Sequence, residues 1–274
     1  MTLLQAIFVA TIATTILGAE GQWVPLPNVT YGPESRQVVD IYLPSWDLEP
    51  ITKVIILIHG GAWGAGEKEG MDGWLQFLAT GFPTHIIANM GYRLGTAESP
   101  GFPKQLEDIS LVVTMLQNVL PQNVTFALIG GSAGAQLAML YSYAYDREAQ
   151  QVKVVVSHVG PTDFTHSSYT ANPLFLDYFV NLVGPCRYTE CPELYNVTSP
   201  ATWVSEKSAK TIGFYGNRDL LIPNAQMPII RDKLTEAGVT NKFTVYNAGH
   251  GNWIGADLLD EMDQIVEFLR DNWD

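Results

Sequence analysis

Two runs of this chain, KVIILIH at 53–59 and VKVVVSH at 152–158, are apolar almost without interruption. A strand with one face in water alternates polar and apolar residues, so runs like these must be covered on both faces, as in the interior of a parallel sheet. Such a sheet needs crossover connections, and the stretches between the runs have helical period. Strands are expected at 37–43, 53–59, 85–92, 124–129, 152–158, 211–215 and 242–247. Helices are expected at 73–79, 103–119, 133–145, 224–237 and 256–272. In the second of these, Leu106, Ile109, Val113, Leu116 and Leu120 form a stripe suited to packing on a sheet. Gly238 suits the end of the fourth helix, where a left-handed residue closes the last turn. The pattern is α/β with a largely parallel sheet, and 274 residues fit one large domain.

The net charge is −13, from 15 Lys plus Arg against 28 Asp plus Glu. Such a surface repels polyphosphates, so nucleic acid and anionic membranes are disfavoured as partners. Residues 1–19 contain no charged side chain and read as a secretory signal, with the mature chain beginning near Glu20. A signal anchor is the alternative; once a signal is removed, no stable membrane span is expected. Three sequons, at Asn28, Asn123 and Asn196, agree with a secretory route as glycosylation candidates. The only cysteines, Cys186 and Cys191, lie in the Pro-flanked segment GPCRYTECPE. That spacing suits a local disulfide in an oxidising compartment. A zinc site would need two further ligands and the segment has no histidine, so no metal is expected.

The alternation lapses between Thr162 and Lys210. This stretch carries no clear strand but holds the aromatic patch LFLDYFVNLV, both cysteines and a sequon. Long insertions in compact domains are commonly lids or binding loops, so about 163–209 is expected to form a small cap on a domain spanning 20–274.

Ser132 lies in Gly130-Gly131-Ser132-Ala133-Gly134, between a strand and a helix. This G-x-S-x-G setting makes a sharp turn that lifts the hydroxyl above the sheet edge, with a helix N-terminus behind it. A serine hydroxyl needs a base to become a nucleophile, and the base needs an acid to orient it. Among five histidines, His250 follows the last strand on the loop Ala248-Gly249-His250-Gly251 and is the expected base. His59 suits a structural role, His85 falls at the opposite end of the sheet, and His158 and His166 are alternatives. Asp219, after the penultimate strand, is the expected acid, with Asp163 as competitor; the order Ser, acid, His favours the former. The glycines of His59-Gly60-Gly61-Ala62-Trp63 let the backbone approach a carbonyl oxygen. The N–H groups of Gly61, Ala62 and Ala133 are therefore the expected oxyanion hole. Trp63, Phe175, Tyr178, Phe179 and Trp253 are candidates for an apolar substrate pocket.

With these motifs in order, the chain resembles an α/β-hydrolase of the esterase group that carries an HGG oxyanion motif. It is similar to hormone-sensitive-lipase-like carboxylesterases and to the related kynurenine formamidase and feruloyl-esterase-like branches. Tyr92-Arg93-Leu94, Phe102-Pro103 and Leu106-Glu107-Asp108 add to the likeness, which covers about 38–269. The chain reads HGGAW where the hormone-sensitive-lipase type reads HGGG, which is closer to the BD-FAE-like branch with HGGxW. The resemblance implies an α/β-hydrolase fold with a mostly parallel eight-stranded sheet and helices on both faces. It also implies serine-based hydrolysis of small acyl esters and no cofactor. An amidase or formamidase using the same residues, and an inactive secreted binding protein of the same fold, are the alternative readings. The leader suits an extracellular or lumenal esterase better than a cytosolic formamidase. The sequence leaves the oligomeric state open.

Overall fold

The computed structural model describes residues 23–44, 51–175 and 177–274; the expected leader at 1–19 lies outside the described residues. Eight strands form one sheet: β1 Val24–Thr30, β2 Val38–Leu43, β3 Lys53–Ile58, β4 Ile86–Met90, β5 Thr125–Gly131, β6 Val152–His158, β7 Lys210–Gly216 and β8 Asn241–Tyr246. Their spatial order is β1-β2-β4-β3-β5-β6-β7-β8. β2 runs antiparallel to both β1 and β4, and every pairing from β4 through β8 is parallel. The carboxyl ends of β3, β5, β6, β7 and β8 therefore share one edge of the sheet, where ligands of open α/β sheets bind.

Alternate side chains of a strand point to opposite faces, and β3 shows how the core follows from this. Val54, Ile56 and Ile58 join the apolar cluster that takes in Leu106, Ile109, Val113 and Leu116. Ile55 and Leu57 join the other cluster, with Ile265, Phe268 and Leu269. The continuous apolar run is thus two half-patterns, each buried under its own set of helices. Burying one such side chain contributes about 1.5–3 kcal/mol.

The longer helices are α1 Asp72–Gly81, α2 Lys104–Val119, α3 Ala133–Leu140, α7 Gln226–Glu236 and α8 Ala256–Asn272; three short helices, α4 Ser167–Thr170, α5 Val180–Val183 and α6 Pro192–Thr198, fall between α3 and α7. Leu120, the last residue of the expected α2 stripe, lies just past the helix end and is only half-buried. The helix expected at 133–145 is α-helical only to Leu140 and continues as a π-helical turn over Tyr141–Tyr145. β1 has no counterpart among the strands expected from local pattern. It carries Pro25 and Pro27, which cannot donate to a ladder, and its pairing with β2 shifts register between Leu26 and Val29.

Among its described residues, segment 163–209 holds no strand. Besides α4, α5 and α6 it contains 3₁₀ turns at Pro173–Phe175 and Pro200–Thr202. It is tied to the body by backbone bonds from Ala201 N–H to the Thr162 carbonyl, 2.9 Å, and from Gly101 N–H to the Asn181 carbonyl, 2.7 Å. Among the described residues, no helix is long and apolar enough to cross a membrane.

Candidate active site

Ser132 stands between β5 and α3 with φ 52° and ψ −116°, a left-handed setting unusual for a residue with a side chain. The turn closes because Gly130 and Gly134 carry no side chains. A Cβ on Gly130 would lie 2.3 Å from the Gly134 carbonyl carbon, and one on Gly134 would lie 2.1 Å from the Ile58 carbonyl oxygen. Ser132 N–H donates to the His158 carbonyl, 2.8 Å, which pins the strained residue to the end of β6. Residues held in such regions cost about 1–3 kcal/mol each and persist where the surroundings over-determine them.

His250 comes from the loop after β8, and its Nε2 lies 3.0 Å from Ser132 Oγ. Its Nδ1 lies 2.7 Å from Asp219 Oδ2. A carboxylate only accepts, so Nδ1 carries the proton and Nε2 presents its lone pair to the serine hydroxyl. The Asp219 side chain is 1% exposed, against 25% for His250. Its other oxygen accepts from the N–H groups of Leu221, 2.8 Å, and Ile222, 3.0 Å. The acid is thus fixed by its own loop before it meets the imidazole.

The turn after β3 faces this group. Ala62 and Trp63 have φ of 45° and 61°, both left-handed. The bonds that close the turn are donated by Gly64 to the Ala62 carbonyl, 2.7 Å, and by Ala65 to the Gly61 carbonyl, 2.9 Å. The Gly61 and Ala62 N–H groups are not among those closing donors. Ala133 is the first residue of α3, where a helix leaves N–H groups free of intrahelical partners. The carbonyl of Trp63 accepts from Gly95 N–H, 2.8 Å, and from Gln105 Nε2, 2.7 Å. Its indole N–H donates to Gln136 Oε1, 2.8 Å, and Gln136 in turn donates to the Thr198 carbonyl, 2.8 Å. Gln136, on the helix behind Ser132, therefore joins the turn after β3 to segment 163–209. Sequence reasoning passed over Gln105 and Gln136; the available signal was an amide side chain on the buried stripe of a helix.

The remaining histidines and the competing acid are engaged elsewhere. His59 is buried, stacks on Tyr92 at 4.1 Å and has its pKa pushed down to about 4 by burial. His85 packs between Phe82 and Trp273, with its pKa likewise lowered to about 4 by burial. His166 caps α4 through Ser168 N–H. His158 bonds Glu261 and the Gly251 carbonyl. Asp163 Oδ1 accepts from the Thr165 N–H and hydroxyl within its own turn.

The five aromatic candidates separate. Phe175 and Phe179 line a cavity of about 140 Å³ together with Phe164, Tyr169, Tyr188 and Tyr195. Tyr178 packs edge-on to both, at 5.3 and 5.0 Å. Burial raises the Tyr178 hydroxyl to about 12, with the Asp219 charge adding to the rise. Trp63 does not line this cavity: only 1% exposed, it is packed among Phe164, Tyr178 and Phe179 and holds its turn in place. Trp253 does not line it either. Its indole N–H turns back to the Gly249 carbonyl, and its ring enters the core on the other face, against His158 and Tyr246.

Cys186 and Cys191 have Cα atoms 6.2 Å apart, within disulfide reach. Asn28 and Asn123 are exposed; Asn196 is half-buried in α6 and accepts from the Thr202 hydroxyl, 2.9 Å. Among the described residues, no group of His, Cys, Asp and Glu is arranged to hold a metal ion.

The BD-FAE family model matches residues 39–234. Esterase LipQ of Mycobacterium tuberculosis is 24% identical over 268 residues, covering 88% of this chain and 61% of that protein. Esterase LipC of the same organism is 22% identical, covering 87% of this chain and 62% of that protein. The chain thus spans about three-fifths of the length of these relatives. Among solved structures, a truncated carbohydrate esterase from gut microbiota superposes with a TM-score of 0.75 at 19% identity, covering 92% of this chain and 98% of that one. A bacterial heroin esterase superposes with a TM-score of 0.72 at 17% identity, covering 97% and 90%. These structures share the α/β-hydrolase fold with this chain.

Proposed function

The chain belongs to the BD-FAE family, and on that premise we propose that it hydrolyses carboxylic esters of small to medium acyl groups through an acyl-enzyme on Ser132. The observation that carries this reading is the relay from Asp219 to His250 to Ser132, with links of 2.7 and 3.0 Å. Ser132 Oγ attacks the ester carbonyl while its proton passes to His250 Nε2, and Asp219 stabilises the resulting imidazolium. Negative charge gathers on the carbonyl oxygen, where N–H groups of Gly61, Ala62 and Ala133 receive it. The tetrahedral species collapses, the alcohol leaves with the proton from His250, and the acyl group stays on Ser132. Water then attacks the acyl-enzyme with His250 again taking a proton, releasing the acid and restoring the serine.

The names of the esterase relatives support ester chemistry over the amide alternative. The aromatic rings of segment 163–209, which enclose a cavity of about 140 Å³ lined by that segment alone, support a cap that selects substrate by size. The uncharged leader, the sequons and the cysteine pair within disulfide reach support passage through the secretory route, with a disulfide at Cys186–Cys191 and glycans at Asn28 and Asn123 before Asn196.

The test is turnover of p-nitrophenyl acetate and butyrate by the wild type and by Ser132→Ala, with N-formylkynurenine as the amide arm. Removing the nucleophile of a serine hydrolase costs on the order of 10⁶ in turnover, and a loss approaching that is expected. Ester turnover surviving in Ser132→Ala would overturn the mechanism; faster hydrolysis of N-formylkynurenine than of either ester would move the substrate class to amides.

A further inference from the structure

One residue touches both halves of the relay from behind. The backbone carbonyl of His158, at the end of β6, accepts from Ser132 N–H, 2.8 Å. Its side-chain Nε2 lies 3.0 Å from the carbonyl of Gly251, the residue after His250. The approach is close: Gly251 has φ 71°, and a Cβ there would lie 2.5 Å from His158 Nε2. On the far side of the ring, Nδ1 lies 2.6 Å from Oε1 of Glu261, which projects from α8. The Glu261 side chain is 0% exposed and its Oε2 has no hydrogen-bond partner.

The proton count of this arrangement is fixed by its acceptors. A peptide carbonyl cannot donate, so Nε2 must carry a hydrogen to bond Gly251. A second hydrogen must then lie between Nδ1 and Glu261 Oε1, because two lone pairs facing each other at 2.6 Å repel. A neutral imidazole and a carboxylate together bring only one hydrogen, so the pair carries one more. A buried, half-partnered carboxylate is costly unless a neighbouring positive charge or a proton neutralises it, and the extra hydrogen does so.

We propose that His158 and Glu261 are a positioning pair that shares this extra proton and thereby fixes the loop bearing His250 against the residue bearing the nucleophile. The proposal rests on the Ser132–His250–Asp219 reading above and adds to it the part that holds the base in place. The surroundings leave the pair largely to itself. Trp74 of α1 and Trp253 of the His250 loop present uncharged rings at 5.6 and 4.6 Å. On β8 the Tyr246 hydroxyl is bound to Asp260 of α8. On the loop side stands His250, whose Nδ1 is held by Asp219 of the loop after β7. Without the shared proton, only one of the Glu261 and Gly251 bonds can be made. The loop then loses its anchor one residue from the base.

The experiment compares kcat and KM from pH 5 to 10, corrected for hydroxide-driven hydrolysis, in wild type, Glu261→Gln, Glu261→Leu and Ser132→Ala. A glutamine amide donates to Nδ1 while Nε2–H still donates to Gly251, so both bonds survive without a titrating proton. Wild-type kcat is expected to fall on an alkaline limb that Glu261→Gln abolishes while staying within about fivefold of wild type at neutral pH; Glu261→Leu is expected to lose about 10- to 100-fold in kcat with KM little changed, as for a misplaced catalytic group. A Glu261→Gln enzyme that keeps the wild-type alkaline limb, or a wild type with no such limb, overturns the proposal while an inactive Ser132→Ala leaves the triad reading standing. Activity retained by Ser132→Ala would overturn both.

Discussion

At the strand ends the candidate groups are fixed by hydrogen bonds to their side chains and backbone, whereas the interior of segment 163–209 is filled by packed rings. Asp219 accepts three hydrogen bonds of 2.7 to 3.0 Å, and Ser132 is pinned to β6 by its own N–H. In segment 163–209 the helices are only four to seven residues long. There Phe164, Tyr169 and Phe179 pack against one another, tilted or edge-on, at 4.5 to 6.2 Å. On the function proposed above, the first region would fix direction for proton transfer and the second would fix volume for selection by size. Gln136 links them, since it receives the Trp63 indole and donates to the Thr198 carbonyl.

This division can be broken from either side. On the strand-end side, Asp219→Asn is expected to lower kcat by about 10⁴, because an amide facing Nδ1 favours the wrong imidazole tautomer; a loss below tenfold would remove the acid from the relay. On the other side, Phe179→Ala opens the cavity and removes a ring that is 2% exposed. Its expected effect is about 3–5 kcal/mol of stability by denaturant melting, with acyl preference shifted toward longer chains. A Phe179→Ala enzyme as stable as wild type, with unaltered chain-length preference, would mean that the rings fix neither core nor pocket.

The same contrast explains what could be read from the residues. The strand-end groups belong to local patterns: an apolar run, then a glycine-rich turn, then a helix or loop. The order of Ser132, Asp219 and His250 along such patterns is enough to bring them to one sheet edge. Seven of the eight strands carry the same kind of signal. β1 does not, because an edge strand with two prolines and a register shift lacks the alternation that marks a half-buried strand. The orientation of an indole is likewise not a local property. Trp63 and Trp253 both stand beside site motifs, yet each turns into a core set by distant residues. His158 and Glu261 meet across 103 positions, and no short-range period announces such a pair.

The claim on which the rest depends is that Ser132 is an activated nucleophile. Treating the protein with a fluorophosphonate and mapping the adduct by peptide mass spectrometry tests it directly. The account predicts a single stoichiometric adduct on Ser132, formed far more slowly in His250→Ala. An adduct on another residue, or no adduct on folded protein, would contradict it.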